Sequence, residues 1–171
     1  MRVVVLFFAV VFVSFFLVFS IHTQSSLQED VKSYLDSAEG ELPFSDVANS
    51  HMHDVLVLLS AARVVAALFV IALLALAVFV DAWVLRVAGG LLVLAPVSLS
   101  LVSWDWLFEV FHLVLFPQGN WRFPADSLLI QTYPQEFFVS FAVVWGLLCA
   151  AAGVLLFVGA SWWARTRKLL A

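Results

Sequence analysis

Apolar runs and polar islands alternate along the chain. Val3 to Ile21 is apolar but for Ser14 and Ser20, and a polar stretch then continues to about residue 53. The next apolar run starts at Val55 and holds only Ser60 and Arg63 before Asp81. A third contains Gly89, Gly90 and Pro96, and a fourth ends in Trp162 and Trp163. About 20 helical residues, rising 1.5 Å each, cross a hydrocarbon core of about 30 Å. The pattern therefore predicts membrane helices over about 3–21, 55–81, 87–104 and 137–163. Between them lie cap segments over about 22–53 and 107–136, with a tail over 164–171. The first run exceeds the usual apolar region of a signal peptide, about 7–15 residues, and no A-x-A-like cleavage pattern follows. It is read as an uncleaved helix. The predicted class is all-α: a polytopic membrane protein, one membrane domain over 1–171, with four transmembrane helices and a small extracytoplasmic cap.

Within the first island, Val31, Tyr34 and Leu35 fit a short amphipathic helix that Gly40 and Pro43 punctuate. Asn49 or Ser50 is expected to cap the helix that follows, with His51, Met52, His53 and Asp54 in its first turn. Pro96 is expected to kink its span, which neighbouring helices can repair. Gly146, Gly153 and Gly159, with Ala150 to Ala152 between them, offer small surfaces for close helix packing.

Composition strengthens the membrane reading. The chain is 64% hydrophobic and only 12% charged, whereas a soluble domain carries roughly 25% charged residues to clothe its surface. Charge placement orients it. Arg2, Arg86, Arg165, Arg167 and Lys168 fall on one side of four spans, which the positive-inside rule makes cytoplasmic. Both termini are then expected in the cytoplasm, and both islands outside the cytoplasmic membrane. No basic run resembles a nucleic-acid footprint. The one cysteine, Cys149, excludes an internal disulfide, and its apolar span is a poor setting for a nucleophile.

The islands hold the candidate chemistry. On a helix starting near Ser50, His51 shares a face with Asp54, and a carboxylate beside imidazole can fix its tautomer. Asp105, Glu109 and His112 follow i, i+4, i+7 spacing, flanked by Phe108, Phe111 and Phe116. Two imidazoles at a water–lipid boundary can supply general base and general acid. His22 and His53 are read as solvated or hydrogen-bonded, and Arg63 as the partner of an acid from another helix. No G-x-S-x-G, phosphate loop or H-E-x-x-H occurs, so serine-hydrolase, nucleotide and zincin chemistry lack support. The rival reading is a metal-dependent membrane hydrolase using His51, His53, Asp54, His112 and Asp126. An H-x-H pair on a helix diverges by about 200°, however, so no metal ligand is assigned. A third alternative is a non-catalytic membrane subunit with a docking cap.

Two segments resemble a known family. Ser50-His51-Met52-His53-Asp54-Val55, and the stretch from Phe111-His112 through Phe116-Pro-Gln-Gly-Asn-Trp121 to Asp126 and Tyr133-Pro134, are similar to the lipoprotein intramolecular transacylases. That resemblance implies a diacylated lipoprotein as substrate, with membrane lipids around it and no cofactor. It implies transfer of the sn-2 acyl chain of the diacylglyceryl group to the α-amino group of the lipoprotein's N-terminal cysteine. It further implies His51 and His112 as the catalytic pair. Asp54, Phe111, Asn120, Trp121, Asp126 and Pro134 are then expected to support the pair or bind substrate, with Asn120 or Trp121 steadying the oxyanion.

Overall fold

The computed structural model describes residues 1–22, 25–76 and 79–169, the last three as backbone only. The end of the expected tail and the side chains of Arg167 and Lys168 lie outside the described residues, as do parts of the expected 22–53 and 55–81 segments. Among the described residues the fold is all helical: α1 (Arg2–Ile21), α2 (Ser26–Ser37), α3 (Asp46–Leu76), α4 (Ala82–Ser100), α5 (Trp104–Leu115), α6 (Leu128–Thr132) and α7 (Gln135–Leu169). Of these, α1, α3, α4 and α7 are long and apolar enough to cross a membrane. They also leave large apolar side chains uncovered, Leu74 at 71% and Leu155 at 73% exposure. Lipid, not water, suits such surfaces.

Helix ends follow capping groups rather than hydropathy. Ser45, not Asn49 or Ser50, starts α3: its hydroxyl accepts from Ala48 N at 3.4 Å and its carbonyl from Asn49 N at 2.8 Å. Asn49 instead donates back to the carbonyls of Leu42 and Phe44, both at 3.2 Å, tying the preceding loop to the first turn. Asp81 caps α4 by accepting from Trp83 N and Val84 N at 2.9 Å, so that helix begins at Ala82, ahead of the hydropathy-based start near 87. The last helix continues past Trp163 into the expected tail.

The chain forms two compact units. The first comprises residues 1–18, 64–101 and 142–171. Leu6, Val84 and Ala88 form its buried centre, with Val10, Leu73 and Leu156 packed against them. Backbones of α4 and α7 meet at Gly89 and Gly153, where a Cβ on either glycine would lie 2.5–2.6 Å from the other's carbonyl oxygen. Gly146 lies beside Pro96, which stays inside α4, while Gly159 has open space. Polar groups in this unit satisfy one another. Trp145 Nε1 donates to Val11 O and Ser14 Oγ, and Ser14 Oγ lies 3.3 Å from Cys149 Sγ.

The second unit comprises residues 19–63 and 102–141 and contains both polar islands. Its α2 is capped by Ser25 and ends at Ala38 in the left-handed region, φ 60°. Val31 and Leu35 are its buried face. Gln28, also buried, donates to Thr132 O at 2.7 Å and so ties α2 to α6. Arg63 pairs with Asp36 and donates to Leu35 O at 2.8 Å, the acid partner expected from another helix.

Candidate active site

His51 sits early in α3, ahead of the apolar run that begins at Val55, and His112 in the last turn of α5. Their ring centroids are 6.0 Å apart, and the residues are only 7% and 9% exposed. Aromatic rings enclose them. Phe116 lies edge-on 4.8 Å from His51, and Phe123 at 5.8 Å. Phe108 and Trp121 lie 4.0 and 4.7 Å from His112.

The turn after α5 builds this enclosure. Phe116 N closes the helix on His112 O at 2.8 Å, and Gly119 N bonds Phe116 O at 3.1 Å. Gly119 adopts φ +79°, a conformation open to glycine at little cost. The reversal carries Gln118 and Asn120 to Asp54, and Trp121 to His112. Gln118 Nε2 and Asn120 Nδ2 each donate to Asp54 Oδ2 at 2.7 Å, and Asn120 Nδ2 also reaches Ser50 Oγ at 3.4 Å.

Two features settle the electrostatics of the pair. The His112 Nδ1 atom lies 2.8 Å from Phe108 O. A carbonyl only accepts, so Nδ1 carries the proton and Nε2 keeps its lone pair. Burial lowers the pKa of His112, against the bond to Phe108, which favours the charged form. Burial also lowers that of His51, to about 4, reinforced by His112 and opposed by Asp54 and Asn120. Both imidazoles are therefore neutral at neutral pH.

The profile of the family described as lipoprotein intramolecular transacylase Lit matches residues 19–138. The chain belongs to the Lit family. Members are membrane-integral acyltransferases. The chain is also similar to the solved structure of the membrane-integral lipoprotein intramolecular transacylase Lit from Bacillus cereus, obtained in meso. The two are 19% identical, with a TM-score of 0.72 over 98% of this chain and 91% of that one. A variant of that protein with a histidine-to-arginine substitution gives 18% identity and a TM-score of 0.65, over 99% and 93% of the two chains. These likenesses concern the fold. No curated protein matches the sequence.

Within this Lit-family fold the expected residues separate. His51, His112, Asp54, Asn120 and Trp121 come together through the contacts above. Phe111 stands edge-on to His112 at 5.2 Å and is half exposed. Asp126 is exposed, and its carbonyl, not its carboxylate, accepts from Gln131. Pro134 directly precedes α7, where its carbonyl accepts from Phe137 N. His53 is exposed, and His22 bonds Ser140 Oγ at 3.0 Å. Two details depart from the helical-face reading. Asp54 does not bond His51; its Oδ2 accepts from the two amides, and His51 Nδ1 is buried without a partner. Asp105 and Glu109 are exposed while His112 is buried, and Glu109 pairs with Arg122 at 2.9 Å. The Asn120 amide nitrogen faces Asp54 Oδ2 at 2.7 Å and Ser50 Oγ at 3.4 Å.

Gln118, Phe123 and Arg122 were not singled out in the sequence. Arg122 lies 4.7 Å over the Trp121 ring that faces His112. Only their position marks them, Gln118 within the Phe116–Trp121 turn and Arg122 and Phe123 directly after it, and the turn's path is a tertiary property. Among the described residues, no group of three His, Cys, Asp or Glu side chains converges to hold a metal ion. The metal-hydrolase alternative thus lacks a ligand set there.

Proposed function

We propose that this chain moves the sn-2 acyl chain of a diacylglyceryl lipoprotein onto the α-amino group of the lipoprotein's N-terminal cysteine, leaving the lyso form. The observation that carries this reading is a pair of neutral, buried imidazoles 6.0 Å apart inside aromatic walls, in a chain of the Lit family. His51 and His112 are the catalytic pair. Amine and ester belong to one molecule, so the protein's task is to orient them where water is scarce.

The bonds balance without a cofactor. The amine nitrogen attacks the ester carbonyl carbon, and His112 Nε2 takes the proton that nitrogen sheds. The tetrahedral intermediate then breaks its bond to the glyceryl oxygen, which receives that proton back from His112, giving an amide, a free hydroxyl and a neutral imidazole. Trp121, tilted against His112, and Phe116, edge-on to His51, keep water from competing as nucleophile. Asp54 holds the Asn120 amide at the site. Phe111, half exposed beside His112, offers apolar surface to the acyl chains, and Asp126 and Pro134 belong to the segment bounding the substrate approach.

The same reading places the protein in the cytoplasmic membrane, with both termini in the cytoplasm and the site outside. The support is the distribution of Arg2, Arg86, Arg165, Arg167 and Lys168 along the chain.

Co-expression with a diacylglyceryl lipoprotein tests the reaction. Product and substrate are isomers, so intact mass stays constant and tandem fragmentation of the N-terminal peptide decides. Fragments carrying an N-acyl cysteine and a monoacylglyceryl thioether are expected. A peptide that keeps both ester chains on glycerol, with a free amine, refutes the reading.

A further inference from the structure

Two buried polar atoms at the site lack partners: His51 Nδ1 and Asn120 Oδ1. The orientation of the Asn120 amide is not arbitrary. Asp54 Oδ2 sits 2.7 Å from the Asn120 nitrogen, and an ionised carboxylate only accepts, so the NH₂ group must face it. Gln118 Nε2 holds the same carboxylate oxygen from a second direction, at 2.7 Å, and Ser50 Oγ lies 3.4 Å from the Asn120 nitrogen. With its donors committed, the amide has only Oδ1 to offer elsewhere. That side chain also acts on His51, where it favours the protonated ring.

We propose that Asn120 is a positioning residue: aimed by Asp54, its Oδ1 accepts the Nδ1 proton of His51 and leaves His51 Nε2 as a lone-pair acceptor. One hydrogen bond then answers both unpartnered atoms, as buried polar groups require. The Phe108 carbonyl does the same for His112, so two imidazoles from separate helices are set in one tautomer by neutral acceptors. A pair of neutral Nε2 acceptors suits an ammonium, whose several N–H donors can be shared between them before one proton is given up. This consequence rests on the acyl-transfer reading above, in which the ligand is the lipoprotein's α-ammonium. The titratable groups acting on His51 are His112 from α5 and Asp54 from its own helix.

The tautomer is read directly by long-range ¹H–¹⁵N correlation on the full chain, ¹⁵N-histidine labelled, in lipid nanodiscs at neutral pH. Peaks are assigned by loss in H51Q and H112Q. In the wild type, His51 and His112 are both expected to show a protonated Nδ1 and an unprotonated Nε2. Asn120→Leu should shift His51 toward the Nε2-protonated form while His112, held by Phe108, keeps its pattern and reports an intact site. Asn120→Asp keeps an acceptor, so His51 should retain its tautomer and titrate at higher pH. An Nε2-protonated His51 in the wild type overturns the proposal. So does an unchanged His51 in Asn120→Leu with His112 intact. If Asn120→Leu does not fold, an unmoved His51 titration in Asn120→Asp overturns it. None of these readouts needs turnover: the expected tautomers in a protein that transfers no acyl chain would sink the functional reading alone.

Discussion

The Phe108 carbonyl accepts from Nδ1 of His112 one helical turn later, at 2.8 Å, and thereby leaves Nε2 as the basic nitrogen. Phe108 stands four residues before His112 inside α5, so helical spacing brings its carbonyl, which has a second lone pair, within reach of the ring.

His51→Ala and His112→Ala are each expected to lower acyl transfer about 10²–10⁴-fold. The double variant should lose little more than either alone, since groups acting as a unit are non-additive. His53→Ala, exposed on α3, should stay near wild type. The measurement is initial rate of lyso-form production, at matched levels of inserted protein. A double variant near the wild-type rate rules out the two-histidine site.

Titration of the imidazoles has a definite sign. Burial penalises the charged ring, so both pKa values lie below the ordinary 6.5, that of His51 near 4. Both rings are neutral above their folded values and acquire protons only as pH falls through them. At pH 6.5 neither should be half protonated in an NMR titration. Trp121→Ala admits water to His112 and should move its midpoint upward, toward 6.5. A downward movement contradicts desolvation as the cause.

Gly89→Ala and Gly153→Ala each force a methyl to within 2.5–2.6 Å of backbone oxygen, where no flexible side chain can yield. Such overpacking costs about 1–3 kcal/mol. Gly159→Ala meets nothing within 4 Å and should be tolerated. Thermal unfolding in detergent compares the three. Equal Tm values for Gly153→Ala and Gly159→Ala would show that the α4–α7 contact yields.

The exposed pair Glu109–Arg122 should contribute little to stability, about 0–1 kcal/mol and less at high salt. Glu109→Gln is therefore expected to leave Tm nearly unchanged. Arg122→Ala also removes the cation over Trp121, so it should slow acyl transfer more than Glu109→Gln does. Paired rate and Tm measurements separate the effects, and equal rates in the two variants would deny the cation–π contact a role.

Orientation has its own test. Ser37→Cys in a Cys149→Ala background places one exposed thiol at the end of α2. An impermeant thiol reagent should label it in intact cells. Labelling only after permeabilisation would reverse the topology.

Four helices were legible in the sequence because a bilayer core offers backbone groups no partner but their own helix, so span position is a local property of hydropathy. Val31 and Leu35 showed the buried face of α2 by the same local logic. The His51 and His112 segments stood out as polar islands in an apolar chain, and their resemblance to the Lit family was visible in the letters. Helix starts were less legible: Ser45, Asn49 and Ser50 are all competent caps, and the loop carbonyls of Leu42 and Phe44 that claim Asn49 decide among them. The site's wiring was not legible at all. Asp54 stands three residues from His51, yet its carboxylate bonds Gln118 and Asn120, 64 and 66 residues away. Glu109 shares a helical face with His112 by spacing, yet it turns to Arg122 in the water. Helical periodicity orders neighbours on one rod. Which acceptor meets which donor depends on how the turn at Gly119 folds back, and that is decided by tertiary packing.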